Sequence, residues 1–158
     1  MKVALLVVGQ TVDGPFAAAI EDYVGRLRHY LSFQIDVVQS PKNVRSLPRE
    51  QVKTKEGEQI IRAIQSGDYV VLLDEGGREF RSVEFADYLQ KKMNNAVGRR
   101  LLFVVGGAYG FSPEVYALAD EKMSLSRMTF SHQMVRLVFV EQLYRALTIL
   151  NNEPYHHE

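Results

Sequence analysis

Short apolar runs alternate with longer segments of helical periodicity along the chain. Four runs, Val3–Val8, Phe33–Val38, Tyr69–Leu73 and Leu101–Val105, are rich in Val, Ile, Leu and aromatic residues. Three of them carry almost no polar side chain, the pattern of strands buried on both faces of a parallel sheet; Phe33–Val38 alternates and belongs nearer an edge. Between the runs lie helical patterns. From Pro15 to Leu31 the apolar positions Phe16, Ala19, Ile20, Tyr23, Val24, Leu27, Tyr30 and Leu31 recur at the spacing of one helix face. Arg49 to Ile64 reads as a polar helix with Val52, Ile60, Ile61 and Ile64 as its apolar contacts. A third helix is expected from Ser82 as N-cap, through Phe85, Leu89 and Met93, to an end near Gly98. The βαβα order predicts an α/β fold with a mainly parallel sheet and right-handed crossovers.

The last predicted helix, His132 to Leu150, is apolar nearly all round, which implies burial on more than one side. In a domain this small, a second subunit covering the outer face accounts for that most simply, so a homodimer is expected.

The length of 158 residues suits one domain, 1–158, and by surface scaling about 70% of the unfolded chain's surface can be buried without staples. The absence of Cys removes thiol nucleophiles, disulfides and thiolate zinc sites. Lys+Arg and Asp+Glu number 19 each, evenly spread along the chain, so no basic tail or domain marks a nucleic-acid binder, although a local patch can still form in three dimensions. The apolar run after Met1-Lys2 is too short for a signal peptide or a membrane span, and no other stretch reaches about 20 apolar residues, so a soluble cytoplasmic protein without membrane contact is expected.

In parallel α/β sheets ligands bind at the carboxyl ends of strands, and three following segments are rich in candidate chemistry. Asp74-Glu75-Gly76-Gly77-Arg78 reads first as a solvated strand-end turn. Gly106-Gly107-Ala108-Tyr109-Gly110 leads into Ser112-Pro113-Glu114, a helix cap with Pro in the first turn. It fits a plain tight turn, close backbone approach to a ligand, or a phosphate cradle; its glycines are wrongly spaced for a dinucleotide fingerprint. The third segment follows a short strand at Glu121-Lys122-Met123: Ser124 to His132 is rich in hydroxyls, lacks Gly and Pro, and enters the buried helix directly. His132 reads either as a cap or core residue or as a functional group. Arg136 one turn on, and the Glu141/Arg145 pair at i,i+4, place charge on an apolar helix, where each must be paired or used. The end, Pro154-Tyr155-His156-His157, reads by default as frayed, and adjacent histidines on extended chain make a poor metal site.

Taken together, Gly106-Gly-x-x-Gly110, Leu125-Ser-x-Met-Thr129-Phe-x-His132, Val135-Arg136, Glu141-Gln-x-Tyr144-Arg145-Ala146 and Pro154-Tyr155-His156 resemble the ribosomal RNA large subunit methyltransferase H family of the SPOUT class. The resemblance spans the whole chain and includes Lys55-Glu56-Gly57-Glu58; Ser131 departs from it, where many relatives have Pro. It implies a C-terminal trefoil knot, a homodimer, and S-adenosylmethionine held in the knot by Leu73, Gly107, Leu125, Ser126, Arg127, Met128, Thr129 and Phe130. Methylation of N3 of a pseudouridine in 23S rRNA, within the assembled large subunit or ribosome and without metal, is the implied reaction. His132, Tyr155 and His156 are then the candidate bases, and Arg136 and Arg145 the groups to hold RNA phosphate or offset developing charge. The rivals are a nucleotide-phosphate binder using Gly106–Gly110 and a noncatalytic ribosome-binding factor.

Overall fold

A computed structural model describes residues 1–11, 14–95 and 99–157. The strands are β1 (Lys2–Val8), β2 (Ser32–Val38), β3 (Tyr69–Glu79), β4 (Arg100–Val105) and β5 (Glu121–Ser124). The helices are α1 (Gly14–Leu27), α2 (Arg49–Ala63), α3 (Ser82–Asn95), α4 (Pro113–Leu118) and α5 (His132–Leu150), with a 3₁₀ turn at Val44–Ser46. The five strands form one sheet in the order β2-β1-β4-β3-β5, and every neighbouring pair is parallel, as the near-continuous apolar runs require. β2, the alternating run, is an edge.

Alternate residues of each central strand supply two cores. Val3, Leu5 and Val7 of β1 with Leu101, Phe103 and Val105 of β4 face α1, α3 and α5. Ala4, Leu6, Leu102 and Val104 face α2 and α4 through Ile60 and Val115. Phe139 of α5 packs on Phe103 with ring centroids 4.7 Å apart.

The structure corrects several expected boundaries. α1 stops at Leu27 instead of Leu31, because the next residues tighten into i→i+3 bonds, His29 N–H to the Arg26 carbonyl and Tyr30 N–H to that of Leu27, as the chain turns into β2. Tyr30 and Leu31 nevertheless pack on the core, which is why they matched the helix face. Asp74–Arg78 is no turn: β3 continues through it to Glu79 and pairs with β5 again after a bulge, with both Leu73 and Arg78 opposite Met123. Backbone pairing available from β5 outweighs the local turn preference. Gly77 suits the bulge, since a Cβ there would lie 2.5 Å from the Met123 nitrogen. Ser82 is the first helical residue of α3 and not its cap; Glu84 accepts from the Arg81 N–H, and the Ser82 hydroxyl donates to Gln142 of α5. The expected end of this helix near Gly98 lies outside the described residues.

At the amino end of β4, Arg100 donates from Nε and Nη2 to both oxygens of Asp68, at 3.0 and 2.7 Å, and from Nη1 to Asp36 at 2.9 Å. The Asp68 side chain is only 2% exposed. Removing one partner of a buried pair strands the other, so Asp68→Ala is expected to lower stability by about 3–5 kcal/mol. Asp22→Ala, which breaks the exposed Asp22–Arg26 pair, should cost under about 1 kcal/mol. Urea unfolding of both variants checks the contrast.

Candidate active site

All five carboxyl ends open on one edge of the sheet, and there the chain encloses a cavity of about 520 Å³. Leu73 at the end of the regular part of β3, Gly107 after β4, and Leu125, Ser126, Met128, Thr129 and Phe130 after β5 line it, as does His132 at the start of α5. Of the residues expected to hold a cofactor, Arg127 is the exception: its side chain is 85% exposed and lies beside Glu79. Asp74 and Glu75, read from sequence as a solvated turn, also line the cavity. Nothing in the local sequence distinguished them, because their placement follows from the bulged pairing of β3 with β5.

Side chains bridge the walls. Tyr116 of α4 donates to Asp74, and Thr129 donates to Glu75 at 2.7 Å, fixing the segment after β5 against β3. Ser126 accepts from the Met128 N–H and Ser124 donates to the Ser126 carbonyl, so hydroxyls do the work that Gly or Pro usually does in such a loop. The glycine-rich segment is a tight turn and also a cavity wall: Gly110 N–H donates to the Gly107 carbonyl at 3.2 Å, and Gly106, Gly107 and Gly110 line the cavity. Ser112 caps α4 as expected, accepting from the Val115 N–H.

Gly107 has a reason for lacking a side chain that the sequence did not disclose. A Cβ there would lie 2.3 Å from each carboxylate oxygen of Glu56. Glu56, in α2, is 6% exposed and its Oε1 has no hydrogen-bond partner among the described residues. Burial pushes its carboxyl pKa up. Gly107 thus lines the cavity on one side, while the space a side chain would take belongs to Glu56 behind the wall.

α5 carries the charged candidates in two groups. Ser131 caps its start by accepting from the Met134 N–H. The His132 imidazole is held below its ordinary pKa by desolvation and then by the charge of Arg136. Arg136 itself is 2% exposed; Nη1 donates to Thr11 at 3.0 Å and Nη2 to the Val8 carbonyl at 2.8 Å. The guanidinium thus ties α5 to the end of β1. No carboxylate pairs with it among the described residues.

Arg145, Tyr155 and His156 form the second group. Arg145 donates to Glu141 Oε1 from Nη2 and Nε, at 2.6 and 3.1 Å, and its Nη1 lies 3.2 Å from His156 Nδ1. Because guanidinium can only donate, His156 Nδ1 is the acceptor in this contact. Tyr155 donates to Glu141 at 3.1 Å, and its hydroxyl meets that of Tyr23 at 3.1 Å. Its ring packs edge-on against Tyr144. The end is anchored, not frayed: Glu153 accepts from Tyr30 as well. Thirteen positions along the helix separate Arg145 from His132, about 20 Å at 1.5 Å per residue, so a single chain does not bring the two groups together.

Among the described residues, no three His, Cys, Asp or Glu side chains converge as a metal site, and no helix is long and apolar enough to cross a membrane.

Comparison with known proteins gives the family. Residues 1–156 match the family described as "Predicted SPOUT methyltransferase". Proteins called "Ribosomal RNA large subunit methyltransferase H" from Phocaeicola vulgatus and Parabacteroides distasonis are each 60% identical to the chain over 158 residues, 100% of both sequences. The protein of that name from Bacteroides thetaiotaomicron is 58% identical over the same span. With likeness this high from end to end, and a cavity at the edge where α/β enzymes bind their ligands, the chain belongs to the SPOUT methyltransferase family and is an enzyme of methyl transfer.

Proposed function

We propose that this protein methylates N3 of a pseudouridine in 23S rRNA, on the assembled large subunit or ribosome, with S-adenosylmethionine as donor and as a homodimer. The character of the cavity carries the donor assignment. Its lining offers apolar Leu73, Val105, Leu125 and Phe111 for an adenine ring, the backbone of the Gly106–Gly110 turn, and the carboxylates of Asp74 and Glu75, with no Lys or Arg among the described residues. A cationic sulfonium suits such a site and a polyphosphate does not, which disfavours a nucleotide-phosphate binder. The names of the relatives support the substrate class, and the presence of the candidate catalytic side chains favours an enzyme over a noncatalytic binding factor.

When bound, S-adenosylmethionine supplies a methyl group on an excellent leaving group. The chain's own residues must align the acceptor nitrogen and take its proton. His132, at the cavity and kept neutral near pH 7 by desolvation and Arg136, is suited to accept it. Tyr155 is not a phenolate at that pH: burial first, then the Tyr23 hydroxyl and the Glu141 charge, raise its pKa well above the ordinary value. Tyr155, His156 and Arg145 are better suited to orient the base and stabilise negative charge.

The separation along α5 leads to the dimer. Met134 is exposed and Leu137 and Val138 are half-buried, leaving an apolar stripe between the two charged groups. A second copy with its α5 antiparallel covers that stripe and brings its Arg145, Tyr155 and His156 to this protomer's cavity. Neutral overall charge points to an assembled particle as substrate, since a free hairpin is weakly attracted to such a surface.

Four tests bear on this reading. Thr129→Trp should abolish S-adenosylmethionine binding by calorimetry with the fold intact. Gly107→Ala should weaken binding by displacing Glu56, and Glu56→Ala added to it should restore much of the loss; no rescue would return the glycine requirement to the ligand. Light scattering should give about twice 18.0 kDa. Deleting residues 154–158 should leave donor affinity within a few-fold but cut single-turnover methyl transfer by ~10²-fold or more. Mixed dimers of that deletion with His132→Ala should regain activity through one intact composite site, whereas full activity in the deletion alone removes the tail from the site.

A further inference from the structure

The charge that is even along the sequence is uneven in space. Residues 41–55 hold Lys42, Arg45, Arg49, Lys53 and Lys55 against a single acid, Glu50. The first three are exposed, and none of them is in an ion pair among the described residues. Lys53 alone has a partner, Glu50 at 3.7 Å. This segment leaves the carboxyl end of β2, and in a wholly parallel sheet that is the edge on which the cavity opens. β2 stands two places from β4, a separation of about 10 Å at the usual strand spacing. A side-chain contact joins the two places: the Arg49 guanidinium lies over the ring of Tyr109, 4.8 Å from its centroid, and Tyr109 sits in the Gly106–Gly110 wall while remaining 40% exposed.

We infer that Lys42, Arg45 and Arg49, with Tyr109 beside them, form the surface on which the RNA backbone docks next to the cavity; this rests on the rRNA substrate proposed above. Unpaired exposed cations at three- and four-residue spacing suit successive phosphates, and the exposed residues around them, Ser40, Asn43, Ser46 and Pro48, offer none of the large apolar side chains that centre a protein interface. The neighbouring cavity has the opposite sign through Asp74 and Glu75, so phosphate is drawn to the β2 side and repelled from the donor pocket. A chain of zero net charge thereby acquires directed attraction for RNA.

The test uses full-length protein and large subunits lacking the modification. Lys42→Glu combined with Arg45→Glu should raise the KM for subunits by about 10-fold or more at moderate salt, leave kcat and S-adenosylmethionine affinity within two-fold, and make the salt dependence of subunit binding shallower by about two phosphate contacts. Lys91→Glu, on the exposed face of α3, should change none of these. Because the chain has no Cys, Arg45→Cys accepts a photo-crosslinker at one site, and the crosslink should form to rRNA. An unchanged KM and salt slope in the double variant, or a crosslink to a ribosomal protein, overturns the inference. Absence of methyl transfer by the unaltered protein would instead refute the functional reading, and the salt slopes of subunit binding would still decide the docking surface.

Discussion

Every strand of the sheet points the same way, and the site depends on that constraint. Parallel strands cannot be joined by tight hairpins, so each returns through a helix and each carboxyl end emerges on one edge. Segments distant in sequence, the bulged part of β3 and the stretches after β2, β4 and β5, therefore meet there. The cavity is built from three of them, and the basic segment that flanks it from the fourth. Residues with no local tendency to form a pocket become walls because backbone pairing leaves them nowhere else to go.

The cavity wall is held by polar contacts between neighbours. Tyr116–Asp74 and Thr129–Glu75 join segments that share no regular hydrogen bonding across the cavity mouth. Glu56 presses from behind on Gly107, so α2 helps to set the turn although it does not line the cavity. The SPOUT family's fold threads its C-terminal part into a trefoil knot. That topology explains how a loop without Gly or Pro, from Ser124 to Ser131, stays ordered with only its own hydroxyls and the neighbouring strand for support.

α5 divides the chemistry. One face is core, carried by Phe139, Val140, Leu143 and Ala146. One end presents His132 to the cavity, and the other anchors Arg145 and the terminal residues in a network with Glu141 and Tyr23. Arg136 shows how far burial can redirect a charged side chain: the Val8 carbonyl and the Thr11 hydroxyl take up two of its nitrogens, and its field acts on His132.

The sequence by itself determined the strands, the helix faces, the edge position of β2 and most of the cavity wall. Apolar runs and helical spacing report burial directly, and the co-ordered motifs from Gly106 to His156 carry a family's pattern. Only the tertiary structure decided the rest. The continuation of β3 through Asp74–Arg78 depends on backbone pairing with β5, a partner over forty residues away, and no local composition encodes it. The burial of Arg136, the claim of Glu56 on the space at Gly107, and the nearness of Arg49 to Tyr109 are likewise meetings of distant segments. Residue types state what a side chain can do; which neighbours desolvate it, pair with it or block it is settled by packing.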